Sequence, residues 1–194
     1  MNTRRLILTI ALISAVFAVV SGQREYRMDT KGSKMTVSGT SSIHEWEMDV
    51  RDPEGSAKFL WESNRIEGIS DLSIKVKPVK LESGKKIMDD KTRDALKASK
   101  YSTIEFKLLS VENLVSSDTE FHGTVVGNLS IAGQVNRVAI PFTGKLMNGY
   151  KVVVTGKKNI LMSDFKIKPP VAMMGALETG DEVSIAFDVV WDLI

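Results

Sequence analysis

Cysteine is absent from this 194-residue chain and histidine occurs only twice. Without cysteine there is no disulfide, no thiol nucleophile, no thiolate metal ligand and no lipid-modified N-terminal cysteine, so the core alone must hold the fold. His44 and His122 lie 78 residues apart, and neither belongs to a His-x-His or His-Glu-x-x-His pair. A zinc-hydrolase site of the usual kind has no ligands here, and neither a metal nor a cofactor is expected. A Gly-x-Ser-x-Gly nucleophile elbow is also missing. The stretch "GKLMNGYK", Gly144 to Lys151, approaches a phosphate loop but lacks Lys-Ser/Thr after its second glycine, and a β-turn explains both glycines. Asp89, Asp90 and Asp94 could suggest paired carboxylates, but beside Lys91 and Arg93 on a helix they read as solvated.

A long apolar run occurs once, at the N-terminus. Two arginines precede Leu6–Val20, fifteen residues without a charge, and the small residues Ser21 and Gly22 follow. This is the pattern of a secretory signal peptide covering 1–22, with cleavage after Gly22, and it falls short of the ~20 residues that a membrane span needs. Removing it takes Arg4 and Arg5 and leaves 24 Lys plus Arg against 24 Asp plus Glu over 23–194. That balance argues against nucleic acid and anionic membranes as partners, and against stable membrane insertion after cleavage. About 170 residues suit one domain with a sizeable core, periplasmic or secreted.

The dominant periodicity is two. Leu72, Ile74 and Val76 alternate with polar residues in "DLSIKVKPV", as do Ile104, Phe106 and Leu108 in "TIEFKLL". In "FHGTVVGNLSI" the residues Phe121, Val125, Leu129 and Ile131 share a face with Gly123 and Gly127, glycines of the kind that permit close approach in a curved sheet. Runs near 25–29, 33–40, 43–50, 56–62, 68–81, 103–112, 119–131, 136–146, 150–164 and 181–192 predict eight to ten strands, antiparallel because one face of each is wet. Turn signals separate them, including "DPEG" at 52–55 and the Asn-Gly of "MNGY" at 147–150. One segment changes period: "MDDKTRDALKASK", 88–100, places Met88, Thr92, Ala95 and Leu96 on one helical face, with acids first and lysines last. The sum is an all-β chain, an antiparallel barrel of about eight strands with one short helix near 88–99 as lid or plug.

Such a barrel either fills its interior with its own side chains or encloses a ligand. The expected lumen-facing residues are Leu72, Ile74, Val76, Ile104, Phe106, Phe121, Val125, Leu129, Ile131, Ile140, Phe142, Ile185, Phe187 and Val189. In "SGTSSIHEWEMDV" alternation carries His44, Trp46 and Met48 on one face, so His44 travels with the apolar side. "KIKPPVAMMGALETGD", 166–181, is an apolar loop whose prolines oppose regular pairing, and Met173 and Met174 join His44 and Trp46 as rim residues. Three functions fit: an apolar-ligand carrier, a self-filled structural or interaction module, and a hydrolase-type enzyme with His44 as general base near Asp164 or Glu45.

The order of motifs carries a resemblance. "SKMTVSGTSSIHEWE", "LSIKVKPVKLESG", "MDDKTRDALKASKYSTIEF", "VVGNLSIAGQVNRVAIPF", "MSDFKIKPP" and "TGDEVSIAFDV" together resemble the YceI-like family of exported polyisoprenoid-binding proteins, over essentially all of 23–194. The resemblance implies an extended lipocalin-like barrel whose apolar tunnel holds a long lipid, such as a polyisoprenoid or an isoprenoid quinone. It implies no catalytic residues, and it leaves a homodimer open as the one protein partner.

Overall fold

The computed structural model describes residues 21–147, 150–172 and 177–194. Strands dominate: β1 (Ser21–Met28), β2 (Lys34–Ser41), β3 (Glu45–Val50), β4 (Glu54–Glu62), β5 (Arg65–Val76), β6 (Leu81–Glu82), β7 (Ile104–Ser116), β8 (Glu120–Ile131), β9 (Gln134–Leu146), β10 (Val152–Leu161), β11 (Val171–Ala172) and β12 (Leu177–Leu193). All pairings are antiparallel, in the order β1-β4-β5-β7-β8-β9-β10-β12, and β12 returns to β1 to close an eight-stranded barrel. The same edge of β12 that pairs with β1 at Met28↔Trp191 pairs with β2 from Lys34↔Asp188 onward. β1 and β2 therefore form one interrupted rung of the wall, as do β4 with β3 and β5 with β6.

The interruptions lie side by side. Residues 29–33 bulge out between β1 and β2, stitched to β12 by the Asp29 amide on the Val190 carbonyl (2.8 Å) and the Val190 amide on Ser33 Oγ (2.9 Å). The amides of Gly32 and Lys31 bond the Asp29 carboxylate and hold it below the usual carboxylate range. The next two breaks carry Pro53 and Pro78, both fully buried, and neither proline has an amide to give a ladder. Thr30 Oγ1 donates to the Pro53 carbonyl and the Arg51 amide to the Lys80 carbonyl, which ties the three breaks into a kinked belt. The strand expected over 68–81 is split for this reason, with a 3-10 turn at Pro78–Lys80.

Above the belt, the helix α1 (Lys86–Ala95) follows β6. It starts two residues before the expected segment and ends sooner, because Lys97 turns into the left-handed region at φ 52°. Asp89 corrects the reading of three solvated acids. It is buried, and its carboxylate accepts from the Ser83 amide (2.8 Å) and Ser83 hydroxyl (2.6 Å), whereas Asp94 is exposed and Asp90 sits between Lys86 and Arg93. β12 begins earlier than expected, since Leu177–Glu178 pairs with Val171–Ala172 just beyond the prolines.

Close approach inside the barrel depends on glycine at particular points. At Gly127 an added Cβ would lie 2.4 Å from the Lys107 carbonyl and 2.4 Å from the Phe106 ring. Since the backbone is one of the two obstacles, Gly127→Ala is expected to lower stability by about 1–3 kcal/mol, read as a lower denaturant midpoint with an unchanged slope.

Candidate functional site

The two ends of the barrel differ. At the end where β1 begins and β12 finishes, inward aromatic rings interlock: Tyr26 meets Phe59 edge-on at 4.9 Å, Phe59 meets Trp191 at 6.3 Å and Phe121 at 6.2 Å, and Phe121 meets Phe142 at 5.8 Å. The Arg24 guanidinium lies 3.9 Å over the Tyr150 ring and 5.3 Å from that of Trp61. Burial pushes the Tyr26 hydroxyl above its ordinary pKa, against the opposing pull of Trp61 and Arg24. Edge-to-face packing of this kind adds about 0.5–1.5 kcal/mol per pair beyond area burial, so this end is solid core.

Toward the other end the interior is not filled. A cavity of about 730 Å³ runs from Phe59, Phe142 and Trp191, at the top of the aromatic plug, to α1 and the β11 hairpin. Its walls are the inward rows of the strands: Leu72, Ile74 and Val76 of β5, Ile104 and Phe106 of β7, and Val125, Leu129 and Ile131 of β8. Ile140 and Phe142 of β9 and Ile185, Phe187 and Val189 of β12 complete the expected set. Phe121 is the exception. It is fully buried within the plug, where its ring lies against Gly144 and leaves no face toward the cavity.

His44, Trp46 and Met48 face the cavity from β3 and the turn before it, as their alternation predicts. Trp46 lies across Gly39 and donates from Nε1 to the Thr40 carbonyl (3.0 Å). The ring of His44 is exposed, with Ser41 Oγ 2.9 Å from Nδ1. That hydroxyl also donates to the His44 carbonyl (2.8 Å) and accepts the His44 amide (3.3 Å), so serine and histidine close a hairpin turn. Among the described residues no carboxylate, Glu45 and Asp164 included, is hydrogen-bonded to the ring as a base-orienting group would be. Met173 and Met174 lie outside the described residues.

Further residues line the cavity beyond the expected wall set. Met35 and Val37 of β2 were legible in the alternation of "SKMTVSGTS" but passed over; Met88, Thr92, Ala95 and Leu96, the face expected of the covering helix, line it from α1 and its C-cap, joined by Ile87 and Lys91. Phe165, Ile167, Pro170, Val171 and Leu177 also line it, so the described parts of the apolar segment 166–181 border the cavity. Thr92 Oγ1 reaches Met48 Sδ at 3.4 Å, seating α1 on β3. Among the described residues no helix is long and apolar enough to cross a membrane.

A closed antiparallel wall, one covering helix and an interior cavity with aliphatic and aromatic walls define the class: a lipocalin-like barrel. Within that class the chain belongs to the YceI-like domain family, whose profile matches residues 26–191. Among solved structures, BcnA of Burkholderia cenocepacia superposes with a TM-score of 0.68 at 20% identity, covering 84% of this chain and 98% of the other. A polyisoprenoid binding domain from Saccharophagus degradans, implicated in plant cell wall breakdown, gives 0.66 at 11% identity, over 87% of this chain and 98% of its own. The YCEI protein of Campylobacter jejuni gives 0.52 at 18% identity, over 65% and 73%. At these identities the likeness is one of fold. No curated protein sequence matches the chain.

The buried Asp89 ties the covering helix to the wall through Ser83. Asp89→Ala, by removing both bonds to a buried carboxylate, is expected to cost about 1.5–3 kcal/mol and to raise amide hydrogen exchange across 83–96 ahead of the β-strands.

Proposed function

We propose that this protein is a non-catalytic carrier or sequestering protein for a long apolar lipid, of the polyisoprenoid or isoprenoid-quinone kind, working outside the cytoplasm. The observation that carries the reading is the cavity of about 730 Å³, walled by inward rows of aliphatic and aromatic side chains and stopped at one end by the aromatic plug. The name of the Saccharophagus degradans relative, a polyisoprenoid binding domain, points the same way. The leader pattern of 1–22 supports export.

The energetics favour binding by the wall as a whole. Burying one CH₂ contributes about 0.8 kcal/mol, so a five-carbon isoprene unit contributes roughly 3–4 kcal/mol before association costs. At the ~30 Å³ of a water-sized group, the cavity has room for on the order of 20 to 25 carbon atoms. A few units suffice for tight binding without a polar anchor, which is why the lack of catalytic motifs is no obstacle.

The test is native mass spectrometry of protein purified from its own host, followed by solvent extraction of whatever it holds. A bound lipid mass is expected, and Ile185→Trp, which puts an indole into the cavity, should abolish uptake while keeping or raising Tm. A clean apo mass together with no uptake of isoprenoid quinones or polyprenyl lipids would overturn the reading.

A further inference from the structure

The charged residues lining the cavity are of one sign. Among the described residues they are Lys85, Lys86, Lys91 and Lys158, with no aspartate or glutamate. Asp90 neutralises Lys86 at 2.6 Å, and Lys85 is exposed. Lys91 and Lys158 are different: both are half-buried, and among the described residues neither has a carboxylate within salt-bridge distance. Lys91 sits in the middle of the inward face of α1, between Met88 and Ala95. Lys158 stands in the inward row of β10, between Val154 and Ile160, and pairs across β12 with Ile185.

The position of Lys158 is not an arbitrary one in the wall. The β9–β10 ladder ends at Phe142↔Gly156, where Pro141 has no amide to continue it. Lys158 is two residues past that point, at a seam where β9 and β10 share no further backbone pairs. A cation drawn into an apolar wall costs free energy unless something pairs with it, and the wall supplies no acid. What would offset that cost is an anion brought by the ligand.

We propose that the cavity takes an amphiphile with an anionic head, a phosphate or a carboxylate, held between Lys158 of β10 and Lys91 of α1, with its chain running toward the aromatic plug. This rests on the lipid-binding reading above and adds the chemistry of the head. Lys91 rides on the covering helix, so head binding would also fasten α1 over the mouth.

Calorimetric titration of chain-matched pairs tests it: geranylgeraniol against geranylgeranyl phosphate, and hexadecanol against hexadecanoate. The acidic member of at least one pair should bind about tenfold tighter or more, and the preference should shrink at high salt. Which pair responds tells phosphate from carboxylate. Lys158→Met should reduce the preference for the acid and Lys158→Met with Lys91→Met should abolish it, whereas Lys158→Arg, which keeps the charge, should retain it. Equal affinities for acid and alcohol in both pairs would overturn the anionic head while leaving lipid binding standing; no binding by any of the four would defeat both.

Discussion

The fold depends on one strand serving two neighbours. β12 runs seventeen residues, pairs with β10 along one edge and with β2 and then β1 along the other, and only this double duty closes the sheet. Closing an eight-stranded sheet fixes the width of its interior at a size that side chains can just fill, or that one slender ligand can occupy. Which outcome holds at each level depends on the size of the inward residues. Where they are Tyr26, Phe59, Trp61, Phe121 and Trp191, the rings meet and the interior is solid. Where they are mostly valine, isoleucine, leucine and methionine, with Phe106 and Phe187 set back over glycines, the opposing walls do not meet and space remains. Small residues are used within the same rows to set ring positions, as Phe187 over Gly156 and Phe106 over Gly127.

The kinked belt and α1 follow from the same constraint. Three adjacent rungs bend at Asp29–Ser33, Arg51–Pro53 and Lys77–Lys80, and β6 is too short to pair with β7 above the bend. The helix takes the place that continued pairing would have filled, presenting apolar residues inward and tied down by Asp89. A helix held by one buried carboxylate and a few side-chain contacts is easier to displace than a hydrogen-bonded strand. The molecule therefore has a rigid, aromatic end and an end whose cover is local. That polarity suits a container loaded and emptied from one side.

Much of this was legible in the sequence because period-two alternation is a direct record of which face is dry. The ten expected runs correspond to observed strands, and the expected wall residues line the cavity except Phe121. That exception is instructive: alternation tells which face a residue points to, but not how far along the barrel axis the interior stops being solid. Phe121 and Phe142 look alike in the sequence and each lies across a glycine of the partner strand, so only their height along the barrel axis separates the middle of the plug from its cavity-facing edge. The helix boundaries and the split of 68–81 depended on backbone conformations at Lys97 and Pro78. Asp89 was unreadable for a related reason, since its partner Ser83 lies outside the helix that the pattern defines. Lys158 was hidden because charge in "VVVTGKKNIL" reads as an outward face, although Lys157 alone occupies it.

A lumen-bound chain makes one quantitative demand, that affinity follow chain length only as far as the cavity reaches. Calorimetry on a series of all-trans isoprenols of increasing length tests this most directly. Affinity should climb with each added unit, by part of the roughly 3–4 kcal/mol gross value, and level off near four or five units, where about 20 to 25 carbons fill the space. An affinity independent of chain length, or no binding at any length, would contradict a lipid held in the barrel.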